Sequence, residues 1–507
     1  MNKMELYSVY NRSEKWALVT IAGVAGLFSP LPANIYFPAI PSLATAFDRT
    51  IEDMNLTVTI YLAMQGCSPM LWGPLSDRFG RRPVFLLCLT ILIGSSLGLA
   101  LCPVTSFWLL LLLRALQAGG CASTIALGAG VIGDIASVDE RGGFFGMFNL
   151  GPMLAPCLGP AVGGVLSEHL GWRSIFWFLT IFSVVCFGMI LLLLPETLRG
   201  MVGNGSLRPP HRIHRPILPL ISGRLNIRRS EKPHEELTTT LNTDSSDGVK
   251  TKLRTNPFRL LIYPDVILTL TFTGIVYAVN YTIMSTISST FASSYPYLSE
   301  TMIGLCYLST GLGMLLGSTV TGKLLDLDFA RIKKSLVASQ ETDGSANVDE
   351  KDDASFPIEY ARLRLVPVLL VVFVACTVGW GWCIQAGTSL AGPLVLQVAL
   401  GWTSIAILNS TMTLMIDIIR DQSSGVIACT NLVRCSLAAL LVSLIDKSTQ
   451  RLGHGWTYTM LGGICALQLI PVYLEMNVGK RWRSKMKHVD PFGSSMAYAT
   501  YPNFSLS

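Results

Sequence analysis

Gly73-Pro74-Leu75-Ser76-Asp77-Arg78-Phe79-Gly80-Arg81-Arg82 crowds one acid and three arginines between two apolar runs, 52–72 and 83–101. A helix needs about 20 apolar residues to cross a bilayer, so the stretch reads as a short charged connection between two membrane spans. Its glycines permit a tight turn and a close approach of helices. Asp77 can accept from helix N-terminal amides or pair with Arg78, Arg81 or Arg82. A loop that only holds positive charge on one side of a membrane would account for the arginines. It would not account for Gly73, Gly80 and Asp77.

The same window applied to the rest of the chain gives twelve spans: 16–38, 52–72, 83–101, 107–133, 143–166, 174–194, 264–290, 301–321, 366–386, 392–417, 424–446 and 456–477. All are expected to be helices, because an isolated span can satisfy its backbone in lipid only that way. Runs such as Phe107 to Leu113 lack the alternation of a membrane barrel. Composition agrees: 50% of the 507 residues are hydrophobic, 14% are charged, and mean hydropathy is +0.50. A soluble domain carries about 25% charge, so a soluble enzyme and a disordered chain are both excluded. The net charge of +6 forms no basic face, and no nucleic-acid partner is expected. The twelve cysteines lie in apolar runs or at the end of one, with no CxxC pair and no Cys/His cluster. We therefore expect no disulfide, metal or other cofactor. The first run is too long for the apolar core of a signal peptide, and Ala44-Thr45-Ala46 follows late, so it is expected to be a retained span.

The basic residues orient the spans. With the N-terminus cytoplasmic, only Arg49, Arg173, Lys447 and Arg451 face outward, and Arg114 and Arg434 lie within spans; the rest of the 38 Lys and Arg fall on the cytoplasmic side. The expected organisation is a cytoplasmic N-tail (1–15), a six-helix bundle (16–195), a cytoplasmic central loop (196–263), a second bundle (264–477, with an inserted loop at 322–365) and a cytoplasmic C-tail (478–507). Residues 196–257 read as a flexible linker, with Pro209-Pro210, a basic part and a Thr/Ser-rich part. The halves look like repeats: Gly73 to Asp77 and Gly322 to Asp326 both read G-x-L-x-D, and Asp134 and Asp417 each close a span. The charged insertion 331–357 separates the second set. The expected fold is thus an all-α membrane protein of twelve transmembrane helices in two pseudo-symmetric six-helix bundles. Paired bundles of this kind mark a transporter with its site at the repeat interface.

The stretch from Gly73 to Arg82 resembles the loop 2–3 signature of the major facilitator superfamily, G-x-L-x-D-R-x-G-R-[RK]. Arg114-Ala115-Leu116-Gln117-Ala118-Gly119-Gly120 is similar to its R-x-x-Q-G-x-G element, with Ala118 for the first glycine. Ala155 to Gly164 is similar to the G-x-x-x-G-P-x-x-G-G element of its exporters, through Gly159, Pro160, Gly163 and Gly164, with Ala155 for the leading glycine. Phe28 to Leu31, Ala33 to Pro38, Gly133-Asp134, Gly171 to Arg173, Pro195 to Arg199, Phe356 to Glu359 and Asn431 to Cys435 narrow the resemblance. Together they look like the fungal twelve-span drug:proton antiporters of the quinidine-resistance type, a branch close to exporters of citrate and other organic acids. The resemblance covers roughly residues 15–480. It implies proton-coupled export of a small organic molecule, with protons, solute and the lipid bilayer as partners, a monomer, and the plasma membrane as location. It also implies that Gly73, Asp77, Arg78, Gly80, Arg81 and Arg82 form a conformational latch, and that Arg114 couples proton movement to conformation.

Ionisable groups inside a bilayer are costly and usually functional. By the boundaries above, only Arg114 and Arg434 qualify. No Asp or Glu sits deep in a span, so the cavity is expected to favour anionic or neutral cargo, with Asp134 and Asp77 the candidate proton carriers. Polar residues able to line a pocket are Asn34, Gln65, Gln117, Asn280, Gln397, Asn409 and Asn431, with Tyr36, Tyr61, Tyr277 and Trp402 as aromatic candidates. Gln397 precedes Asp417 by the same interval as Arg114 precedes Asp134, which makes Gln397 and Arg114 repeat counterparts. A dedicated organic-acid exporter is the alternative reading. A non-transporting sensor, which would carry a long signalling tail, fits the short stretch after Lys480 poorly. No nucleotide loop, metal cluster or nucleophile motif suggests an enzyme.

Overall fold

The computed structural model describes residues 7–207, 209, 211–218, 261, 263–322, 324, 327, 358–419 and 423–488. Asp326, the insertion 331–357 and most of the central loop, all singled out from the sequence, lie outside the described residues. Ten segments are long and apolar enough to cross a membrane. One of them, Gly425–Gly479, is two helices folded at Gly453, whose φ of 76° is left-handed. The 29-residue helix Ile51–Phe79 completes the twelve. In chain order they are α1 (Arg12–Ala46, in pieces), α2 (Ile51–Phe79), α3 (Arg81–Ala100), α4 (Phe107–Ile135), α5 (Val138–Leu170), α6 (Arg173–Leu193), α7 (Pro264–Ser294), α8 (Glu300–Thr321), α9 (Ile358–Gln385), α10 (Ala391–Ile418), α11 (423–452) and α12 (454–479).

Two long seams join α1–α6 to α7–α12, one between α2 and α11 and one between α5 and α8. Counted in chain order within each half, α2 corresponds to α8 and α5 to α11, so the two seams join corresponding pairs of helices. The start of α1, the end of α12 and Gly80 lie on one face of the bundle, called here the near face; the turns after α1, α3, α5, α7, α9 and α11 form the far face.

Several elements differ from the sequence expectation. α2 does not stop at 72 but runs through Pro74 and Asp77 to Phe79, so only Gly80 separates it from α3. The charged residues there had suggested a loop, but a membrane helix can run past the lipid into water without a break. α1 starts at Arg12 and α5 at Val138 for the same reason. The flexible-linker reading fails for residues 196–218. This segment folds back under α3, with a short helix at Arg199–Val202, a 3₁₀ turn at Arg212–His214, and Glu196 and His214 buried.

Candidate functional site

Prolines 30, 32, 38 and 41 break α1 into four short pieces. A break in lipid frees carbonyls that must find other donors, and side chains of α2, α4 and α1 itself supply them. Tyr61 Oη donates to Ser29 O at 3.1 Å and Gln65 Nε2 to the same oxygen at 3.2 Å. Asn34 Nδ2 donates to Pro30 O at 2.7 Å, and Arg114 Nη1 to Pro32 O at 3.1 Å. Arg114 also donates through Nη1 to Gln117 Oε1 at 2.7 Å, and Gln117 in turn donates to Ser96 at 3.0 Å. The guanidinium lies against two rings, 4.2 Å from the Tyr36 centroid and 4.6 Å from that of Tyr61, a favourable cation–π arrangement. Arg114 is wholly buried, yet its Nε and Nη2 have no hydrogen-bond partner; Asn34 Oδ1 and Gln65 Oε1 are likewise left without one. Tyr36 is held by Thr57, which donates to its hydroxyl at 2.9 Å.

Across the molecule, Arg434 of α11 is half-buried over the Tyr277 ring, 4.8 Å from its centroid, and its Nε is unpartnered. Asn280 lies one turn from Tyr277 and donates weakly to Met284 Sδ at 4.0 Å. Asn409 and Asn431 are half-buried on α10 and α11. Two of the sequence candidates go elsewhere. Gln397 accepts from Ser309 of α8 at 2.6 Å. That pair lies beside an apolar groove of about 450 Å³ lined by Cys157, Leu312 and Val395 among others, so repeat position does not give Gln397 the surroundings of Arg114. Trp402 donates to Thr321 at 2.9 Å and is 37% exposed on the hydrophobic surface, not in a pocket between the halves. Periodicity alone could not separate a lipid-facing ring from a pocket-facing one.

The small residues of α5 work on two sides. At Gly159, a Cβ would lie 3.3 Å from Ile35 N, and at Gly163 it would collide with Ile35 O, so both let α5 pack on the broken α1. At Gly164, a Cβ would lie 3.2 Å from Gly304 Cα across the α5–α8 seam, and Pro160 O fills the space beside Gly304. The exporter-type element is thus the surface through which α5 touches both α1 and the opposite half.

At the near face, Arg81 gathers the acids expected from the sequence. Its Nη1 pairs with Asp77 at 2.7 Å and its Nε with Asp134 at 3.2 Å. Asp134 stands near the end of α4, and its side chain, held against Arg81, is only 13% exposed. Arg78 is exposed over Phe79. Arg82 is buried and donates to Leu191 O at 2.6 Å and to Ile213 O. No fixed partner constrains a Cβ at Gly73, whereas Gly80 has φ +101°, and a Cβ there would meet Glu196 and His214. The other half repeats the device: Arg362 at the start of α9 pairs with Asp417 at the end of α10, 3.0 Å apart.

Sequence reasoning missed Glu196. Fully buried, it accepts from the amides of Arg81 (2.8 Å), Arg82 (3.3 Å), Thr197 and Leu198 (both 3.0 Å), and it contacts His214 Nδ1 at 3.2 Å. It caps α3 from 115 residues away, in the manner favoured by a helix dipole. The signal was Pro195-Glu196-Thr197, already noted as part of the resemblance. Glu196→Ala is expected to orphan at least two buried amides at about 1–3 kcal/mol each. Thermal unfolding of the detergent-purified protein should then shift down by several degrees, and an unchanged midpoint would remove the capping role.

At the far face the polar contacts cross between the halves. Asn55 of α2 donates to Asp446 of α11 at 2.6 Å, and Glu52 pairs with Lys447 at 2.9 Å. Ser42 of α1 donates to Glu300 of α8, and the Thr301 amide donates to Glu168 of α5 at 2.8 Å. Phe37 stacks on Tyr307 with centroids 6.1 Å apart. The two halves are clasped there. Among the described residues, the near-face ion pairs stay within one half.

The family model described as Major Facilitator Superfamily matches residues 22–443. Citrate exporter 1 of Aspergillus niger is 35% identical over 477 residues, 94% of this chain and 88% of that protein. The multidrug transporter AQR1 of Candida glabrata is 33% identical over 480 residues, 94% of this chain and 78% of that protein. The MFS antiporter QDR1 of Candida albicans is 32% identical over 480 residues, 94% of this chain and 90% of that protein.

Proposed function

The chain belongs to the major facilitator superfamily, and on that footing we propose that it is a proton-coupled exporter of small organic solutes, with carboxylate-bearing anions as preferred cargo. The similarity to an exporter of citrate, to a multidrug transporter and to an antiporter supports export over uptake. The observation that carries the cargo class is Arg114: a buried cation with two nitrogens lacking partners. Unmade hydrogen bonds of a buried charge are expensive, and a carboxylate is the ligand whose geometry suits a guanidinium edge. Arg434 is the second cation in reach of an anion, and Tyr36, Gln65, Asn34, Asn280, Asn409 and Asn431 supply a few polar groups on otherwise apolar walls.

The near face is cytoplasmic in this reading, because it receives most of the Lys and Arg, and the protein works as a monomer in the plasma membrane. Bundles 16–195 and 264–477 rock against each other, with cytoplasmic 196–263 between them. The far-face clasp is then the closed outer gate, and cargo enters from the cytoplasm. Asp77, Arg81 and Asp134, with Gly80 and the buried Arg82, form a switch that re-forms against the opposite half when the inner side closes. Transport into sealed vesicles under an imposed pH difference tests the cargo class. Radiolabelled citrate is expected to move at least about tenfold faster than a permanent organic cation at equal concentration. Robust movement of the cation without any organic acid would sink the anion reading while leaving export itself standing.

A further inference from the structure

The outer clasp contains a hydrogen-bond pair that is incomplete as an ion. Asn55 is 1% exposed; its Nδ2 donates to Asp446 Oδ2 at 2.6 Å, and its Oδ1 is buried without a partner. An ionised carboxylate only accepts, so it has nothing to offer that oxygen. A protonated carboxyl has one O–H, and an acid facing an amide can exchange two hydrogen bonds: N–H to the carbonyl oxygen and O–H to Oδ1. We propose that Asp446 is a proton-binding site of the transport cycle, loaded from the far-side solution and held by Asn55 as the far face closes. The proposal rests on the exporter reading and deepens it.

The proton passes from hydronium in the outside solution to the Asp446 carboxylate, giving a neutral acid and water. On the return it passes from the acid to water on the other side and leaves the carboxylate. With the proton on, both groups of Asn55 are satisfied and the closed far face is favoured, so the empty carrier turns inward. With the proton off, a buried acceptor is orphaned and the clasp weakens, so the loaded carrier can open outward. That order is the one an antiporter needs, since proton and cargo each accompany opposite half-cycles.

The neighbouring groups leave this role to Asp446. Glu52 of α2 is engaged by Lys447, and Arg451 is exposed. Tyr458 of α12 pairs with Thr286 of α7 at 2.7 Å. Glu300 is the rival acid: Ser42 donates to its Oε1, and its Oε2 is buried without a partner. That orphan, however, is on the acid itself, whereas at the Asp446 pair the oxygen lacking a donor belongs to the amide.

The test needs no cargo, so it can fail or succeed separately from the exporter reading. Dyes are introduced as noncanonical residues at Thr105 and Ser389, both exposed on the far face and in opposite halves, and the full chain is reconstituted in lipid nanodiscs. The closed-to-open ratio of the far face is read by single-molecule energy transfer from pH 8 to pH 5. It is expected to rise as pH falls, by up to about tenfold per pH unit for one proton. Asp446→Asn is expected to be closed at every pH, because its amide presents an N–H to Asn55 Oδ1. Asp446→Ala is expected to be insensitive to pH and shifted toward open. A wild-type titration that survives in both variants, or one that disappears in Glu300→Gln instead, overturns the proposal.

Discussion

Arg114→Lys is expected to lower citrate flux in reconstituted vesicles by on the order of a hundredfold or more, with the protein still monodisperse in detergent. The guanidinium spends one nitrogen on Pro32 O and Gln117 while lying against Tyr36 and Tyr61, and it keeps Nε and Nη2 for something else. A lysine ammonium is a compact point charge on a flexible stem. It can reach the Pro32 carbonyl or an incoming anion, but it cannot hold a planar edge toward one while bonding the other. Two charge-assisted hydrogen bonds at about 1.5–3 kcal/mol each correspond to that loss. Because lysine keeps the charge and much of the contact with the rings, the fold should survive. A flux within about threefold of the parent protein would mean that Arg114 only ties α4 to α1 through the Pro32 carbonyl.

Gly164→Leu is the second large effect. Its expected signature is the reverse of a binding defect: the far face is pushed open. A side chain there enters the α5–α8 seam, against Gly304 Cα and the Glu300 backbone, beside the Ser42–Glu300 and Thr301–Glu168 contacts of the clasp. Overpacking a tight seam costs about 1–3 kcal/mol, enough to move a two-state equilibrium by roughly ten- to a hundredfold. Labelling of a cysteine placed at Ser288, buried where α7 meets Pro38 of the other half, by a membrane-impermeant reagent should rise, and net transport should fall at least about tenfold. Unchanged labelling together with normal transport would show that the seam is not a moving surface.

These expectations draw on a sequence that reveals some things well. Gly73 to Arg82 and the apolar runs give the class and the number of helices, because hydropathy and glycine are local properties. What stayed hidden depends on which distant residues meet. Ser76, Asp77 and Arg78 read as a loop after residue 72, although a helix can carry them beyond the lipid. Arg362 precedes the apolar run that begins at 366, and nothing local links it to Asp417, 55 residues away. Arg114 could be picked out as a buried charge, but its two idle nitrogens are visible only once the α1 carbonyls have been allotted. Asp446 and Asn55 lie 391 residues apart, and no periodicity links them. Gln397 and Trp402 likewise meet Ser309 and Thr321, partners that an interval along the chain does not reveal.

Simultaneous recording of proton and solute movement in sealed vesicles holding the purified chain bears most directly on the whole mechanism. With an acidic exterior on the far-face side and citrate on the near-face side, the two fluxes should start together, run in opposite directions and stop together when the pH difference is collapsed. Citrate movement that continues unchanged without any pH difference, or protons that leak at the same rate with no citrate present, would contradict it.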